Sequence, residues 1–121
     1  MTFSFDNNIP IYVQLVEQIK IYIISGKLSA GERLPSVRDL ALKCKVNPNT
    51  LQRALSELED CGLIFTERTN GKFVTENQEL IEKYKKEYAD ALSKKFIESM
   101  ADIGFDSGLA IKYLEEFGGR D

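Results

Sequence analysis

Residues 36–62 read SVRDLALKCKVNPNTLQRALSELEDCG, and this stretch decides the fold. Ser36 stands three residues before Asp39, which is the spacing of a capping box in which Asp replaces Glu. A capping box satisfies backbone N–H groups that have no partner at the start of a helix. The pair therefore predicts a short helix over about residues 37–43.

The next helix, the third in chain order, is predicted to begin a few residues later, at Asn47-Pro48. The Asn47 side chain can accept a backbone N–H bond as an N-cap, and Pro48 supplies the preset φ of a first helical residue. Gly62 can adopt the left-handed conformation that ends a helix. The apolar face is formed by Leu51, Ala54, Leu55 and Leu58. The turn of three or four residues between the helices is typical of a helix-turn-helix motif, which we place at about residues 37–56.

An amphipathic helix precedes this motif. Pro10 is a good first-turn residue and Gly26 is a usual helix stop, so we expect a helix over residues 10–25. Its apolar residues recur at helical spacing and are Tyr12, Leu15, Val16, Ile19, Tyr22 and Ile23. Residues 27–35 contain a glycine and a proline and are interpreted as a connection.

The pattern changes after the third helix, where two short β-prone runs flank a polar turn. The runs are residues 63–66 and 72–75, and an Asn-Gly dipeptide before the second run is a strong hairpin signal. Three helices followed by a hairpin predict a winged helix-turn-helix domain over residues 1–75, with its wing at about 63–75.

The remainder of the chain, residues 76–121, is predicted to form a two-helix hairpin that mediates dimerisation. Apolar residues fall at spacings of three or four from 77 to 103, which predicts one long helix of about 40 Å. A small domain cannot cover that whole stripe, so a second copy of the chain is the expected partner. A short last helix follows, and the fold class is mainly α with a small β-hairpin. The predicted dimerisation residues are Ile81, Tyr84, Tyr88, Leu92, Phe96, Met100, Leu114 and Phe117.

The amino-acid composition indicates a folded protein and argues against several classes of enzyme and metalloprotein. The chain has 121 residues, of which 43% are apolar and 29% are charged, as is typical of a folded protein. It has no histidine, the commonest general base and neutral metal ligand, and its two cysteines form no CxxC pair. We therefore expect no enzymatic activity, metal or cofactor. The absence of a signal-peptide pattern and of a long apolar run predicts a cytoplasmic protein without a membrane partner.

Charge is distributed unevenly along this acidic chain. The formal net charge is −3, yet residues 33–53 carry five basic residues against one acidic residue. Residues 54–67 carry four acidic residues and no basic residue. DNA affinity depends on neutralising phosphates, and the far end of a recognition helix points away from the duplex. The basic half of the motif is therefore the half expected to face DNA.

The outward face of the third helix is predicted to read DNA. At 100° per residue, the side opposite the leucines carries Asn49 and Arg53, flanked by Thr50 and Gln52. Asn and Gln pair with adenine, Arg pairs with guanine, and Thr contacts the thymine methyl group. These four side chains therefore form the predicted base-reading set.

Two further groups of side chains flank this face. Arg38, in the first turn of the helix over residues 37–43, is aimed at a phosphate or the groove edge with Ser36 beside it. The alternative for Arg38 is a surface salt bridge with Asp39 or a neighbouring acidic residue. The wing turn is placed to reach the DNA backbone or minor groove, although hairpin turns are often merely polar. Its residues are Arg68, Thr69, Asn70, Gly71 and Lys72. Helix capping is the alternative role of Asn47, Pro48 and Thr50.

Several ordered motifs resemble the GntR family of bacterial transcription regulators. They are Pro10-Ile11-Tyr12-Val13-Gln14-Leu15, Ser25-Gly26-Lys27-Leu28, Leu34-Pro35-Ser36-Val37-Arg38-Asp39-Leu40-Ala41, Val46-Asn47-Pro48-Asn49-Thr50-Leu51 and Gly62-Leu63-Ile64. The resemblance covers about residues 10–75, and the two-helix tail resembles the YtrA-like branch, in which such a tail mediates dimerisation. It implies a homodimer on a palindromic double-stranded DNA operator that usually represses transcription, often of a transporter operon.

The same resemblance implies DNA contact by particular positions. In the helix-turn-helix these are Arg38, Asn47, Pro48, Asn49, Thr50, Gln52 and Arg53, and in the wing they are Asn70, Gly71 and Lys72. One departure is Thr69, which stands where the family usually has a glycine, so this wing tip is less suited to the minor groove. The alternative function is a winged-helix module that binds a protein rather than DNA. An affinity for DNA that depends little on salt would favour this alternative. The residues leave open the operator, the sign of regulation and a small-molecule effector.

Overall fold

The computed structural model describes residues 3–119. Within them it contains five helices and one two-stranded sheet, in the predicted order. The helices are α1 (Ile11–Ile24), α2 (Val37–Cys44), α3 (Pro48–Asp60), α4 (Gln78–Asp102) and α5 (Ser107–Gly118). The strands are β1 (Ile64–Glu67) and β2 (Gly71–Val74). The predicted fold class, mainly α with a small β-hairpin, is confirmed. Residues 1–2 and 120–121, at the outer ends of the two predicted domains, lie outside the described residues.

The described chain forms two compact units, the first ending at Tyr84 and the second beginning at Lys85. Helix α4 therefore contributes its first two turns to the first unit. In these turns Ile81 is only 7% exposed, and the Tyr84 hydroxyl donates a 3.3 Å hydrogen bond to the Cys61 carbonyl. The domain boundary expected after residue 75 follows the end of the hairpin and stays a prediction.

The two helices of the helix-turn-helix begin at the predicted caps. Ser36 Oγ accepts a 3.1 Å hydrogen bond from the Asp39 N–H at the start of α2. Asn47 Oδ1 accepts a 2.8 Å bond from the Asn49 N–H at the start of α3. Between them Lys45 ends α2 in the left-handed conformation, with φ of 58°. These local bonds set the short turn that brings α2 and α3 together.

The core of the first unit lies between α1 and α3. Their apolar faces meet across it, which is why the helical spacing of leucine and isoleucine in both segments predicts the packing. Large side chains with almost no exposed surface are Leu15, Ile19, Ile23, Leu40, Leu51, Leu55, Leu58, Leu63, Ile64 and Val74. The core thereby fixes α3 from its inner side and leaves its outer side in solvent.

The wing is an antiparallel hairpin in which Ile64 pairs with Val74 and Glu67 pairs with Gly71. Strand β1 lies one residue later than the first predicted run, and β2 lies one residue earlier than the second. The reason is that Gly71, expected in the turn, already pairs with Glu67. The Asn70 N–H donates a 3.2 Å bond to the Glu67 carbonyl, which closes the turn. Gly71 has φ of 99°, a conformation that favours glycine.

Residues 27–35 do more than connect α1 to α2. Arg33 forms an antiparallel bridge with Phe73, and the Leu34 N–H donates a 2.8 Å hydrogen bond to the Lys72 carbonyl. The Val74 N–H donates a 2.9 Å bond to the Glu32 carbonyl. The predicted connection therefore also pairs with the wing, which the sequence does not indicate because a pairing of so few residues leaves no periodic pattern.

The second unit is a pair of helices joined by a tight turn. Gly104 has φ of 98° at this turn, and Asp106 caps α5 by accepting a 2.9 Å hydrogen bond from the Leu109 N–H. The Phe105 and Tyr113 rings meet edge to face at 5.6 Å. None of the helices within residues 3–119 combines the length and the apolar character needed to cross a membrane.

Candidate nucleic-acid interface

Helix α3 presents a polar outer face. Asn49, Gln52 and Arg53 are exposed, whereas the leucines of the same helix are buried. Pro48 is exposed at its first position and Thr50 is half-buried. The predicted base-reading side chains therefore lie on or beside one surface of the helix, and we call α3 the recognition helix.

Asn47 has an observed capping role. Its side-chain oxygen is used by the Asn49 N–H, as the capping alternative predicts, while the residue itself is exposed. An asparagine side chain also carries an NH₂ group with two donors, which capping leaves unused. Capping and DNA contact are therefore compatible at this position.

The first turn of α2 presents Ser36 and Arg38 to solvent. Within residues 3–119, no carboxylate lies within 4.0 Å of the Arg38 guanidinium, so the alternative salt bridge with Asp39 is not formed. Ser36 Oγ is engaged as the N-cap of α2. Arg38 is thus an exposed cation without a carboxylate partner in the described chain, and its donors are available to a phosphate.

The wing pattern predicts that Lys72 contacts DNA, but its side chain is instead paired with Glu59 of α3. Its Nζ donates to Glu59 Oε1 at 2.5 Å and to Thr66 Oγ1 at 3.0 Å, and the Thr66 hydroxyl donates to the same Glu59 carboxylate. The Lys72 side chain is 17% exposed. The ammonium group is therefore turned toward the recognition helix, and a DNA contact by Lys72 would compete with this ion pair.

Glu59 is the charged centre of this network. Partial burial raises its pKa, but the hydrogen bonds from Lys72 and Thr66, together with the Lys72 charge, outweigh burial and hold the pKa of Glu59 below its ordinary value. The carboxylate is therefore ionised at neutral pH and stays paired with the wing.

The rest of the wing turn is exposed. Arg68 and Thr69 lie at its tip, and Asn70 Nδ2 donates a 3.0 Å hydrogen bond to Glu67 Oε2. Gly71 is exposed as well. Within residues 3–119, no carboxylate lies within 4.0 Å of the Arg68 guanidinium, while the amide of Asn70 is partly engaged within the turn.

A cleft of about 300 Å³ separates the start of α2 from the wing. Among the residues that line it are Arg33, Ser36, Val37, Thr66, Arg68 and Gly71. The Arg33 side chain crosses the wing over Gly71, since a Cβ there would lie 3.5 Å from Arg33 Nε. Arg33 is exposed and has no carboxylate within salt-bridge distance in residues 3–119.

Arg33 is a candidate interface residue that the sequence pattern does not indicate. It belongs to the basic stretch, but it was assigned to a connection rather than to the interface. Its bridge to the wing places it beside the predicted contacts. The available signal was a basic residue immediately before the Leu-Pro-Ser sequence that begins α2.

The second unit carries an exposed apolar surface. Leu92 is 68% exposed, and Leu114 and Phe117 are also exposed. An apolar groove of about 460 Å³, here called the tail groove, is lined by Leu92, Ser93, Phe96, Ile97, Ile111 and Leu114. Of the other predicted dimerisation residues, Tyr88, Phe96 and Met100 are half-buried. Ile81 and Tyr84 instead pack inside the first unit, so the exposed part of the predicted stripe begins at Leu92.

The comparisons with known proteins agree on a single family. The family model described as "Bacterial regulatory proteins, gntR family" matches residues 11–74. The HTH-type transcriptional regulator YhcF of Bacillus subtilis is 33% identical over 114 residues, which cover 94% of each chain. The HTH-type transcriptional repressor YtrA of Bacillus subtilis is 44% identical over 68 residues, covering 56% of this chain and 52% of that one.

A solved structure shows the same architecture. A GntR family transcriptional regulator from Listeria monocytogenes superimposes with a TM-score of 0.85 at 40% sequence identity. The match covers 93% of this chain and 98% of the other. The similarity thus extends through the winged helix and into the helical tail.

Proposed function

Because the chain belongs to the gntR family of bacterial regulatory proteins, we propose that this DNA-binding transcriptional regulator is a homodimeric repressor of a palindromic operator. Proteins of this family are DNA-binding regulators and not enzymes. The repressor assignment follows the relative YtrA, which is a repressor by name. A regulator that acts on chromosomal DNA works in the bacterial cytoplasm.

The recognition helix is the observation that carries the proposal. Asn49, Gln52 and Arg53 extend from one exposed face of a helix whose other face is anchored in the core. A rigidly anchored helix with amide and guanidinium groups on its outer face suits the donor and acceptor pattern of the major groove. Arg38 and Arg33 add positive charge beside that face for the phosphates.

The tail groove supports the dimeric part of the proposal. Leucine and phenylalanine side chains on this surface remain open to solvent in the single chain. Their burial against a second copy would stabilise a symmetric dimer, and two recognition helices would then address half-sites about 34 Å apart. We assign the tail groove to the partner chain rather than to a small-molecule effector, because Ser93 alone supplies a polar side chain to its lining, whereas a small-molecule site carries a few convergent polar groups that orient the ligand.

The test begins with selection of bound DNA from random double-stranded oligonucleotides. The selected site is then titrated at about 50 and 200 mM salt with wild type and Arg53→Ala. We expect an enriched inverted repeat, a steep loss of affinity with salt, and reduced sequence preference in the variant. The matched control is Lys112→Ala, which removes one exposed positive charge from the second unit. Genomic copies of the selected repeat identify the regulated genes, including any transporter operon.

Two outcomes would contradict the proposal. Enrichment of a site without inverted symmetry, bound by a monomer, would exclude the palindromic dimer. Binding of DNA without sequence preference and with little salt dependence would favour the alternative function, a winged helix that binds a protein partner.

A further inference from the structure

An aromatic ring holds Arg53 of the recognition helix. The Arg53 guanidinium carbon lies 3.6 Å from the centroid of the Tyr12 ring, which is stacking distance for a cation and an aromatic face. Tyr12 is in the first turn of α1, and α1 packs against α3 through the core of the first unit. The helix that lies behind the recognition helix therefore contacts one of its DNA-facing side chains.

Stacking on the Tyr12 ring leaves the N–H donors of the Arg53 guanidinium accessible. Its N–H donors lie in the plane of the group and point outward from the edge, whereas the ring covers only a face. In the described chain, no carboxylate lies within 4.0 Å of Arg53. The edge that pairs with O6 and N7 of guanine is thus available while the side chain is held in place.

Tyr12 is itself well placed to act as a fixed support. It is half-buried, and its neighbour Gln14 ties the start of α1 to the preceding segment. Gln14 Nε2 donates to the Asp6 and Ile9 carbonyls at 2.6 and 2.8 Å, and Gln14 Oε1 accepts from the Asp6 N–H at 2.7 Å. These bonds attach the start of α1, which carries Tyr12, to the segment before it.

We propose that Tyr12 is a positioning residue for DNA recognition, because its ring holds the Arg53 guanidinium in an orientation ready to contact DNA. The proposal rests on the proposed function. A long arginine side chain loses rotamer freedom when it becomes ordered on binding, and a side chain that is already ordered loses less. Removing the ring should therefore weaken affinity for the operator by about threefold to tenfold.

A double-mutant cycle tests this role directly. The probe is the double-stranded site selected with wild type, and affinity is measured for Tyr12→Leu in the wild-type and Arg53→Ala backgrounds. We expect the threefold to tenfold loss in the wild-type background and a change of less than about twofold when Arg53 is absent. Tyr12→Phe keeps the ring and should bind within about twofold of wild type.

Thermal unfolding of every variant separates positioning from folding. If Tyr12→Leu loses affinity only because the first unit is destabilised, the loss will be the same in both backgrounds, and the proposal is overturned. Equal losses for Tyr12→Phe and Tyr12→Leu would show that the hydroxyl is responsible instead of the ring. Tighter binding by Tyr12→Leu would show that the ring withholds Arg53 from DNA.

The wild-type measurement keeps this proposal distinct from the proposed function. If wild type binds the selected site with sequence preference and Tyr12→Leu binds it equally well, only the role of Tyr12 is refuted. If wild type shows no sequence preference for DNA, the proposed function and the positioning role both fail.

Discussion

Lys72 Nζ lies 2.5 Å from Glu59 Oε1, so an ion pair joins the wing to the recognition helix. Thr66 of β1 donates to the same carboxylate and accepts from the same ammonium group. Both strands of the wing are thereby attached to the C-terminal half of α3. This polar contact therefore joins the wing to the recognition helix in addition to the apolar core.

The first prediction concerns the charge of Lys72. Because Glu59 already neutralises it, Lys72→Met should leave the salt dependence of DNA binding close to that of wild type. The variant should lose about 0.5–1 kcal/mol of folding free energy, since the pair is only partly exposed. Urea denaturation and DNA titration at two salt concentrations measure the two quantities. A marked fall in the salt slope would instead show that Lys72 leaves Glu59 to bind a phosphate.

The second prediction is a pH dependence of folding stability. The pKa of Glu59 is lower in the folded chain than its ordinary value of 4.5, because the hydrogen bonds from Lys72 and Thr66 outweigh partial burial. A lowered folded pKa stabilises the fold above the ordinary value and loses this contribution as pH falls through the lowered value. Wild type should therefore be more stable than Glu59→Gln at about pH 7, and the difference should shrink at about pH 3.

Urea denaturation of both proteins at the two pH values measures this difference. Glu57→Gln is a suitable control, because Glu57 is an exposed carboxylate of the same helix. A stability difference between wild type and Glu59→Gln that is unchanged at the lower pH would contradict the prediction.

The third prediction assigns Arg33 to the DNA backbone. It is an exposed cation at the cleft between α2 and the wing, without a carboxylate partner in the part of the chain that is described. Arg33→Ala should lower affinity for all DNA sequences similarly and reduce the salt slope by about one per chain. Titration of selected and unselected DNA tests this, with Lys112→Ala as the control. Loss of preference for particular bases would show that Arg33 reads sequence instead.

The fourth prediction concerns the tail groove. Leu92→Glu should raise the dimer dissociation constant at least about tenfold, because dimerisation would bury an unpaired charge. The helix content should stay the same, since Leu92 is 68% exposed in the single chain. Sedimentation equilibrium gives the oligomeric state, and Ala101→Glu places the same charge on the opposite side of α4. A dimer equally stable in both variants would place the interface elsewhere.

The helix-turn-helix was predictable because its signals are local. Ser36 and Asn47 cap their helices within three residues of their own position, so sequence spacing alone reveals the contact. The leucines of α3 likewise indicate which face is buried, and the opposite face is therefore the exposed one. Local hydrogen bonds and helical period therefore gave both the elements and the side chains that lie outward.

The contacts that were not predicted join residues far apart in the sequence. Lys72 and Glu59 are 13 residues apart, and nothing in the wing pattern shows that the lysine turns inward. Tyr12 belongs to an apolar stripe that predicts core packing, yet its ring also supports Arg53. Ile81 has the spacing of the tail but is buried in the first unit, because helical period does not say which neighbour covers a side chain.

At Lys45, selection for folding stability and selection for DNA binding favour different residues. A non-glycine residue with φ of 58° strains the backbone by about 1 kcal/mol, so a screen for higher melting temperature would favour Lys45→Gly. The same replacement would remove a positive charge from the basic stretch that is expected to face DNA. A thermostabilised form of this regulator, chosen by melting temperature alone, would therefore be the one that is slower to find its genomic target.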